Sequence, residues 1–379
     1  ASDLYAGNSF EGDATAVLHV PAEYPSIQHA LVVAPTGGLI VVEGGVYEEA
    51  IAVVGRHDLE IRAKGKVVVD SAGHPGAGLE IVSSSGIVVR GLRFRNEGSD
   101  GVVIHDSVGI ELEKIRVDDA FGCGLRVTGA SRGVRLSRCR VSGTGAGGIR
   151  LEAGRGVHVD RCRLAGTGGP AIESLAATRA CVLERNRIDR ESSSTDTLVI
   201  DGLGHVVDRT RVTGNPNGQP VRIAGVGHTV RGTRMAGELR VVGSRHRILG
   251  GRITKGPVGG IVLKGADDCI VAGNRIVKPS SSGIELRDGA WRNRILGNRV
   301  VRSGGNGIFV VLTSSENVVA RNVVRRAGGN GIVFGAGTVD NAALANDVKQ
   351  SDGVDGWDVS VAFDNRWVAN DLGTASSIP

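Results

Sequence analysis

The chain has 379 residues, of which 59 are glycine, one is methionine and 3% are aromatic, and it carries a net charge of +5. So few aromatics leave little for stacking on nucleic-acid bases, no recognised nucleic-acid-binding motif is present, and no apolar run approaches the ~18 residues of a membrane span. The five cysteines are odd in number and form no Cys-x-x-Cys pair, which excludes a full disulfide framework and a cysteine-rich zinc site.

The first segment is polar and turns strand-like at Ala16-Val17-Leu18-His19-Val20. A polar start at Ala1 suits a trimmed secreted protein and equally an expression product. From Val20 to Pro35, residues Ile27, Ala30, Leu31 and Ala34 are spaced i, i+3, i+4, i+7, which predicts a short helix with one apolar face. Pro25 lies near its start and Pro35 stops it. Gly37 to Val53 reads as a first coil of strand.

A repeat follows. Asn274, Asn298, Asn322, Asn346 and Asn370 recur every 24 residues, each flanked by alternating apolar residues. A fixed period of this length marks a solenoid, whose core grows along one axis, so the whole chain is one domain. Its rungs open at Gly78, Gly101, Gly124, Gly148, Ala171, Thr197, Pro220, Glu238, Gly260, Gly283, Gly307, Gly331 and Gly356, thirteen in all. The step from Pro220 to Glu238 is short and has lost a turn. Residues 1–36 supply the N-terminal strand and capping helix, 37–351 the coils, and 352–379 the last rung, a C-terminal cap and a loose polar tail. Trp357, Phe363 and Trp367 are expected to plug that end.

Alternation sends Val102 and Ile104 inward and Val103 and His105 outward. The Asn column is expected to bond from rung to rung inside the coil. Upstream it becomes Cys139 and Cys162, expected as stacked free thiols rather than a disulfide. His205, His228 and His246 share another column, which could bind metal but reads first as solvated turn residues.

The phrase PSIQHAL followed by GLIVVEGGVYEEAIAV (residues 25–53), together with the later rows, resembles the right-handed parallel β-helix superfamily of pectate lyases, polygalacturonases, pectin methylesterases and mannuronan epimerases. The resemblance spans nearly the whole chain. It implies an all-β fold of about thirteen rungs and a substrate groove on the outer face of the first sheet. The specific motifs of those enzymes are missing. There is no Gln-Asp-Thr, Asn-Thr-Asp, Gly-His-Gly or Asp-Pro-His, and His105-Asp106 reverses the Asp-His order of calcium pectate lyases.

On that outer face the densest group of titratable side chains is Asp100, His105, Asp118, Asp119, Arg126, Arg150 and Glu152, bordered by Asn96 and Glu97. His105 is the natural base near neutral pH, and Arg126 and Arg150 would hold the negative charge formed when a proton beside a carboxylate is removed. Asp100, Asp118 and Asp119 could instead share acid and base roles in glycoside hydrolysis, or supply oxygen ligands to Ca²⁺. Glu152, Glu173, Arg222, Arg240 and Phe309 would line the same face and bind substrate.

A second pattern is arginine. Arg93, Arg116, Arg140, Arg163, Arg187, Arg211, Arg234, Arg252, Arg275 and Arg299 take one outward position on ten consecutive rungs, with Glu113, Asp160, Glu184 and Asp208 expected to balance them in part. It reads as a charged, solvated face or as a polyanion-binding strip. The functional expectation is an extracytoplasmic (secreted, periplasmic or cell-surface) uronate lyase or epimerase acting on an acidic polysaccharide. The alternative is a non-catalytic glycan-binding, structural or adhesion scaffold. No cofactor beyond Ca²⁺ is expected, no nucleic-acid partner, and a monomer by default.

Overall fold

The computed structural model describes residues 16–95, 98–189, 196–213, 221–256, 259–360 and 364–376. Every strand pairs in parallel with the strand one turn away, as in Val102–His105 against Leu125–Thr128, and the chain winds as a right-handed solenoid of about fourteen turns. Each turn carries three strands separated by three corners. Among the described residues the first sheet has fifteen strands, from Ile51–Val54 to Ala375–Ser376. The second and third sheets are joined at the N-terminal end by two long strands, Leu39–Glu48 and His57–Asp70, which run past the second corner and pair along both halves.

The core is a stack of aliphatic layers. Val102 and Ile104 are 1% exposed, and Leu112 and Val117 are fully buried. The outward Val103 is also only 9% exposed, flanked in register by the longer Glu80 and Arg126. Glycine opens so many rungs because of close packing across the third corner. A Cβ on Gly124 would lie 2.3 Å from Val141 Cγ1 and 2.8 Å from the Gly148 carbonyl.

The N-terminal helix is Ile27–Val33, with Ile27, Ala30 and Leu31 buried over the open end of the coil. Ser26 caps it by accepting from the His29 N–H, and the Glu49 carboxylate accepts from the N–H groups of Ile27 and Gln28 at 2.9 Å each. At the other end Trp367 packs against Phe334 and donates its indole N–H to Asp358 at 2.9 Å. Trp357 does not join the plug; it lies outward on the first sheet, in register with Val333. Phe363 lies outside the described residues. The supposed loose tail instead contributes strand Ala375–Ser376, paired with Gly356 and Trp357.

The Asn column forms a continuous ladder. Asn298 donates Nδ2 to Asn322 Oδ1 at 3.0 Å and to the Val271 carbonyl at 2.8 Å, while its backbone N–H reaches the same Oδ1 at 2.9 Å. A second ladder, Asn293, Asn317, Asn341 and Asn365, runs inside the first corner with the same bonding. Its period is again 24, and the sequence reading passed over it.

Upstream, the second ladder becomes Cys269, His246, His228, His205 and Cys181. These histidines are not solvated turn residues; all three are 0% exposed. Their rings stack 4.8 and 5.0 Å apart, and each Nδ1 accepts the backbone N–H one rung before it. The residue following a left-handed corner, such as Gly227 before His228, points inward rather than to solvent. All five cysteines are free and buried, Cys139 and Cys162 included.

Candidate functional site

The first-sheet outer column is in strict register: Glu80, Val103, Arg126, Arg150, Glu173, Val199, Arg222, Arg240, Val262, Glu285, Phe309, Val333 and Trp357. Along it the charged candidates form one chain of ion pairs. Arg126 Nε lies 3.0 Å from Asp100 Oδ2, and Arg126 Nη1 lies 3.8 Å from Glu152 Oε1. Arg150 Nε lies 3.3 Å from Glu152 and 3.5 Å from Glu173. Asp100, Arg126, Glu152, Arg150 and Glu173 are therefore brought together, with each charge opposed by its neighbour. Further along, Arg240 pairs with the buried Glu238 at 3.3 Å, while Arg222 and Phe309 stand half-buried in the same column.

Asp118 and Asp119 are not part of this network. Asp118 ends a third-sheet strand, is 4% exposed, and accepts from Arg116 Nε and Ser142 Oγ at 2.6 Å each, with Arg93 Nε at 2.7 Å. Its pKa lies below the usual carboxylate range. Burial works against that, and the bonds from Ser142 and Arg116 and the charge of Arg93 outweigh it. Asp119 follows in the left-handed region (φ 58°) and is exposed. Asp100 Oδ1 is occupied by the Cys123 N–H at 2.6 Å. The three aspartates thus have separate partners and do not fit a shared Ca²⁺ site. Among the described residues no group of three or more His, Cys, Asp or Glu is placed to hold a metal ion. Asn96 and Glu97 lie outside the described residues.

His105 sits where the first sheet meets the first corner, 44% exposed at its side chain. Its Nε2 lies 2.8 Å from Asp106 Oδ2. Asp106 is in the left-handed region (φ 46°), and its other oxygen accepts the Ala130 N–H of the next rung at 2.6 Å. The carboxylate lies against the Nε2 edge of the ring, which leaves the Nδ1 edge turned away from it. Nδ1 faces Gly129, where a Cβ would lie 2.9 Å from Nδ1 and 2.2 Å from Asp106 Oδ1. Gly129 (φ 64°) keeps the base uncovered.

Gly129 also borders a shallow depression of about 400 Å³, lined by Ala130, Ser131, Ala153, Gly154 and Ala177 and by Arg132, Arg155 and Arg179. The three arginines stand in register on successive rungs, exposed, and form no ion pair among the described residues. The depression exists because strands Ile149–Arg155 and Ile172–Arg179 run on past the first corner with a register shift between Leu151 and Ala153, carrying small residues there. Asp106 and these three arginines were not placed among the sequence candidates. The available signal was Arg three residues before the second-sheet strand on three successive rungs, at Arg132, Arg155 and Arg179.

Glu285 is another group left out of the candidates. Burial raises its carboxyl pKa, against the opposing charge of Arg287 and with help from Glu238 and Asp288. It stands between Val262 and Phe309 in the outer column.

The ten-arginine column on the third sheet is confirmed in register from Arg93 to Arg299. Its expected counter-charges go elsewhere. Glu113 pairs with Arg138 at 2.9 Å, Asp160 with Arg185 at 3.7 Å, Glu184 with Arg185 at 2.6 Å, and Asp208 with Arg231 at 3.0 Å and Arg209 at 3.2 Å. Arg138, Arg185 and Arg209 occupy the second corner with positive φ, which aims them back at second-sheet acids.

A family model described as a right handed beta helix region matches residues 50–188 and 197–354. No curated protein sequence matches the chain. Among solved structures, the fold is similar to tailspike protein 3 of bacteriophage CBA120, at 11% identity and a TM-score of 0.60, covering 93% of this chain and 58% of that one. It is similar to the catalytic domain of a GH87 α-1,3-glucanase, at 14% identity and 0.52, covering 97% and 70%. It is also similar to the A-module of mannuronan C-5 epimerase AlgE4 of Azotobacter vinelandii, at 14% identity and 0.50, covering 90% and 91%. At these identities the likeness is one of fold.

Proposed function

The chain belongs to the right-handed β-helix family, and from that footing we propose that it is an extracytoplasmic enzyme acting on a uronate-containing polysaccharide, as a lyase or epimerase. The observation that carries the reading is the His105–Asp106 pair, held at 2.8 Å beside a depression whose three arginines form no ion pair among the described residues. Mannuronan and α-1,3-glucan, named for two structures of similar fold, make a glycan substrate the natural class.

The chemistry runs as follows. A sugar carboxylate is held by guanidinium groups from Arg132 or Arg155, which lowers the cost of placing further negative charge on it. His105 Nδ1 takes the proton on the adjacent carbon, and the electron pair moves into the carboxylate. Asp106 stabilises the imidazolium that results. Return of a proton from water to the opposite face inverts the centre, and His105 releases its own proton to solvent. Expulsion of the neighbouring glycosidic oxygen, which takes up a proton, leaves an unsaturated sugar. The paired charges from Asp100 to Glu173 form a platform beside the depression for flanking sugars.

The test is incubation of the purified chain with a panel of uronic-acid polymers. New absorbance from unsaturated ends, or inverted stereochemistry in the product spectrum, is expected, abolished in His105→Ala and reduced in Asp106→Asn. Failure on every polymer would remove the enzymatic reading. A second reading, a non-catalytic glycan-binding scaffold, is favoured by the first-sheet network, whose charges are all mutually engaged. It expects binding without turnover.

A further inference from the structure

We propose that the third sheet carries a separate binding surface, a ladder of arginines that holds an extended acidic polysaccharide along the solenoid axis. The ladder is independent of the first-corner site, and its role stands whether or not that site is catalytic.

Three observations carry the inference. First, the ladder is long and in register. From Arg93 to Arg299 it crosses nine rung spacings of ~4.8 Å, roughly 43 Å in all. Nine of its ten members are exposed, Arg93 being half-buried.

Second, it is largely uncompensated. Arg93 and Arg116 share Asp118, and Arg187 pairs with Asp189. Among the described residues Arg140, Arg163, Arg211, Arg234, Arg252, Arg275 and Arg299 have no carboxylate within 4.0 Å. Like charges stacked in register repel. The acids one strand away do not relieve this, because the second-corner arginines already hold them. Ligand anions would relieve the repulsion.

Third, the surface beside the ladder suits a sugar chain. The next outward column reads Ser142, Ala165, Asp189, Thr213, Ala236, Thr254, Val277 and Val301, one carboxylate already held by Arg187 and otherwise small side chains and hydroxyls, with no aromatic among them. The longest unpaired run contains a recess of about 330 Å³, lined by Arg211, Arg234, Arg252, Thr213 and Thr254 over Val212 and Met235. Guanidinium forks bind carboxylate or sulfate in pairs, and hydroxyls offer bonds to sugar oxygens. Single-stranded nucleic acid needs stacking platforms that this face lacks. Duplex DNA presents a charge every ~1.7 Å on a curved surface, which a straight ladder at ~4.8 Å matches poorly.

The experiment is titration of the full chain with size-defined oligogalacturonates long enough to span five rungs, at several salt concentrations. The variant combines Arg211→Gln, Arg234→Gln, Arg252→Gln and Arg275→Gln. It is expected to bind at least about ten-fold more weakly, with a shallower salt dependence and a melting point that is not lowered. Replacing the same four by Lys should retain most of the affinity. Arg132→Gln with Arg155→Gln should leave this binding intact while affecting any turnover, so the two sites fail separately. Unchanged affinity in the Gln variant would overturn the proposal. So would equal loss in the Lys variant, equal binding of neutral dextran, or tighter binding of a single-stranded oligonucleotide of the same charge.

Discussion

The buried histidine ladder makes the fold sensitive to mild acid, and His228 sets the size of the effect. Its ring is 0% exposed and stacked between His205 and His246. Burial first, and then the charges that the two neighbouring rings would carry, hold its pKa down from 6.5 to about 3. Its folded pKa is depressed, so the unfolded chain binds the proton more readily. The stability contribution is complete above pH 6.5 and is lost as pH falls from there toward 3. At pH 5 the loss is about 1.5 pH units below the unfolded value, or about 2 kcal/mol at ~1.36 kcal/mol per unit. The part of this window above pH 5 lies above the ordinary carboxylate range, so paired aspartates contribute little there. The comparison is with His228→Asn, because Asn293 shows that Asn fits this column and accepts the N–H of the preceding rung at 2.9 Å. Urea unfolding at pH 7.5 and pH 5.0 should show the wild type losing about 2 kcal/mol more than the variant. Equal losses in the two proteins, within about 0.5 kcal/mol, would refute the reasoning.

Other substitutions test other parts of the structure. Gly129→Ala places a Cβ 2.2 Å from Asp106 Oδ1 and 2.9 Å from His105 Nδ1, so turnover on a uronate polymer should fall about ten-fold or more while stability drops by only ~1–2 kcal/mol. Asp118→Asn removes the charge facing Arg93 and Arg116, and should lower stability near pH 7 by about 2–3 kcal/mol. Because the folded pKa of Asp118 is depressed, that difference should shrink in melts as pH falls through it, below 3.8, and turnover should be unaffected. Asn317→Ala leaves the Asn293 N–H and Nδ2 without their acceptor and the Ala290 carbonyl without its donor, an expected loss of about 3 kcal/mol by urea unfolding.

The coil itself was plain in the sequence, because a 24-residue step survives any reading of individual residues. The helical cap was equally plain, since Ile27, Ala30 and Leu31 can bury only one face. Strict alternation also placed the first-sheet outer column correctly, and with it the group Asp100, Arg126, Arg150, Glu152 and Glu173. The failures came at corners. A residue in the left-handed region reverses which way the next side chain points, so His228 after Gly227 looked solvated and is buried. The same geometry misdirected the charge assignment. Glu113 is three residues from Arg116 in sequence, yet it bonds Arg138 one rung on. From its place ahead of Gly124, Asp118 reads as a loop residue bordering the first-sheet groove, but it ends a third-sheet strand, facing Arg93 and Arg116. Asp106 was seen beside His105 but not placed in the candidate group, because its second partner, the Ala130 N–H, is 24 residues away and is brought near only by the turn of the coil.

Pairing, more than composition, separates the working surfaces of this solenoid from the inert ones. Arginines stand in register on neighbouring rungs in several columns, ~4.8 Å apart, so each such run carries repulsion to be offset. On the first sheet Arg126 and Arg150 alternate with Asp100, Glu152 and Glu173. At the second corner Arg138, Arg185 and Arg209 are met by Glu113, Asp160, Glu184 and Asp208. Those columns are complete as they stand, and an anion would have to displace a carboxylate to enter. The first-corner arginines and most of the third-sheet ladder have no such competitor among the described residues. They lie on different faces, and each has a recess of its own. A single acidic chain can therefore be gripped along the ladder while another stretch of polymer occupies the depression beside His105. An arrangement of that kind predicts that removing the ladder raises KM for long polymers and leaves short uronate oligomers unaffected, since only the long chains can reach both faces.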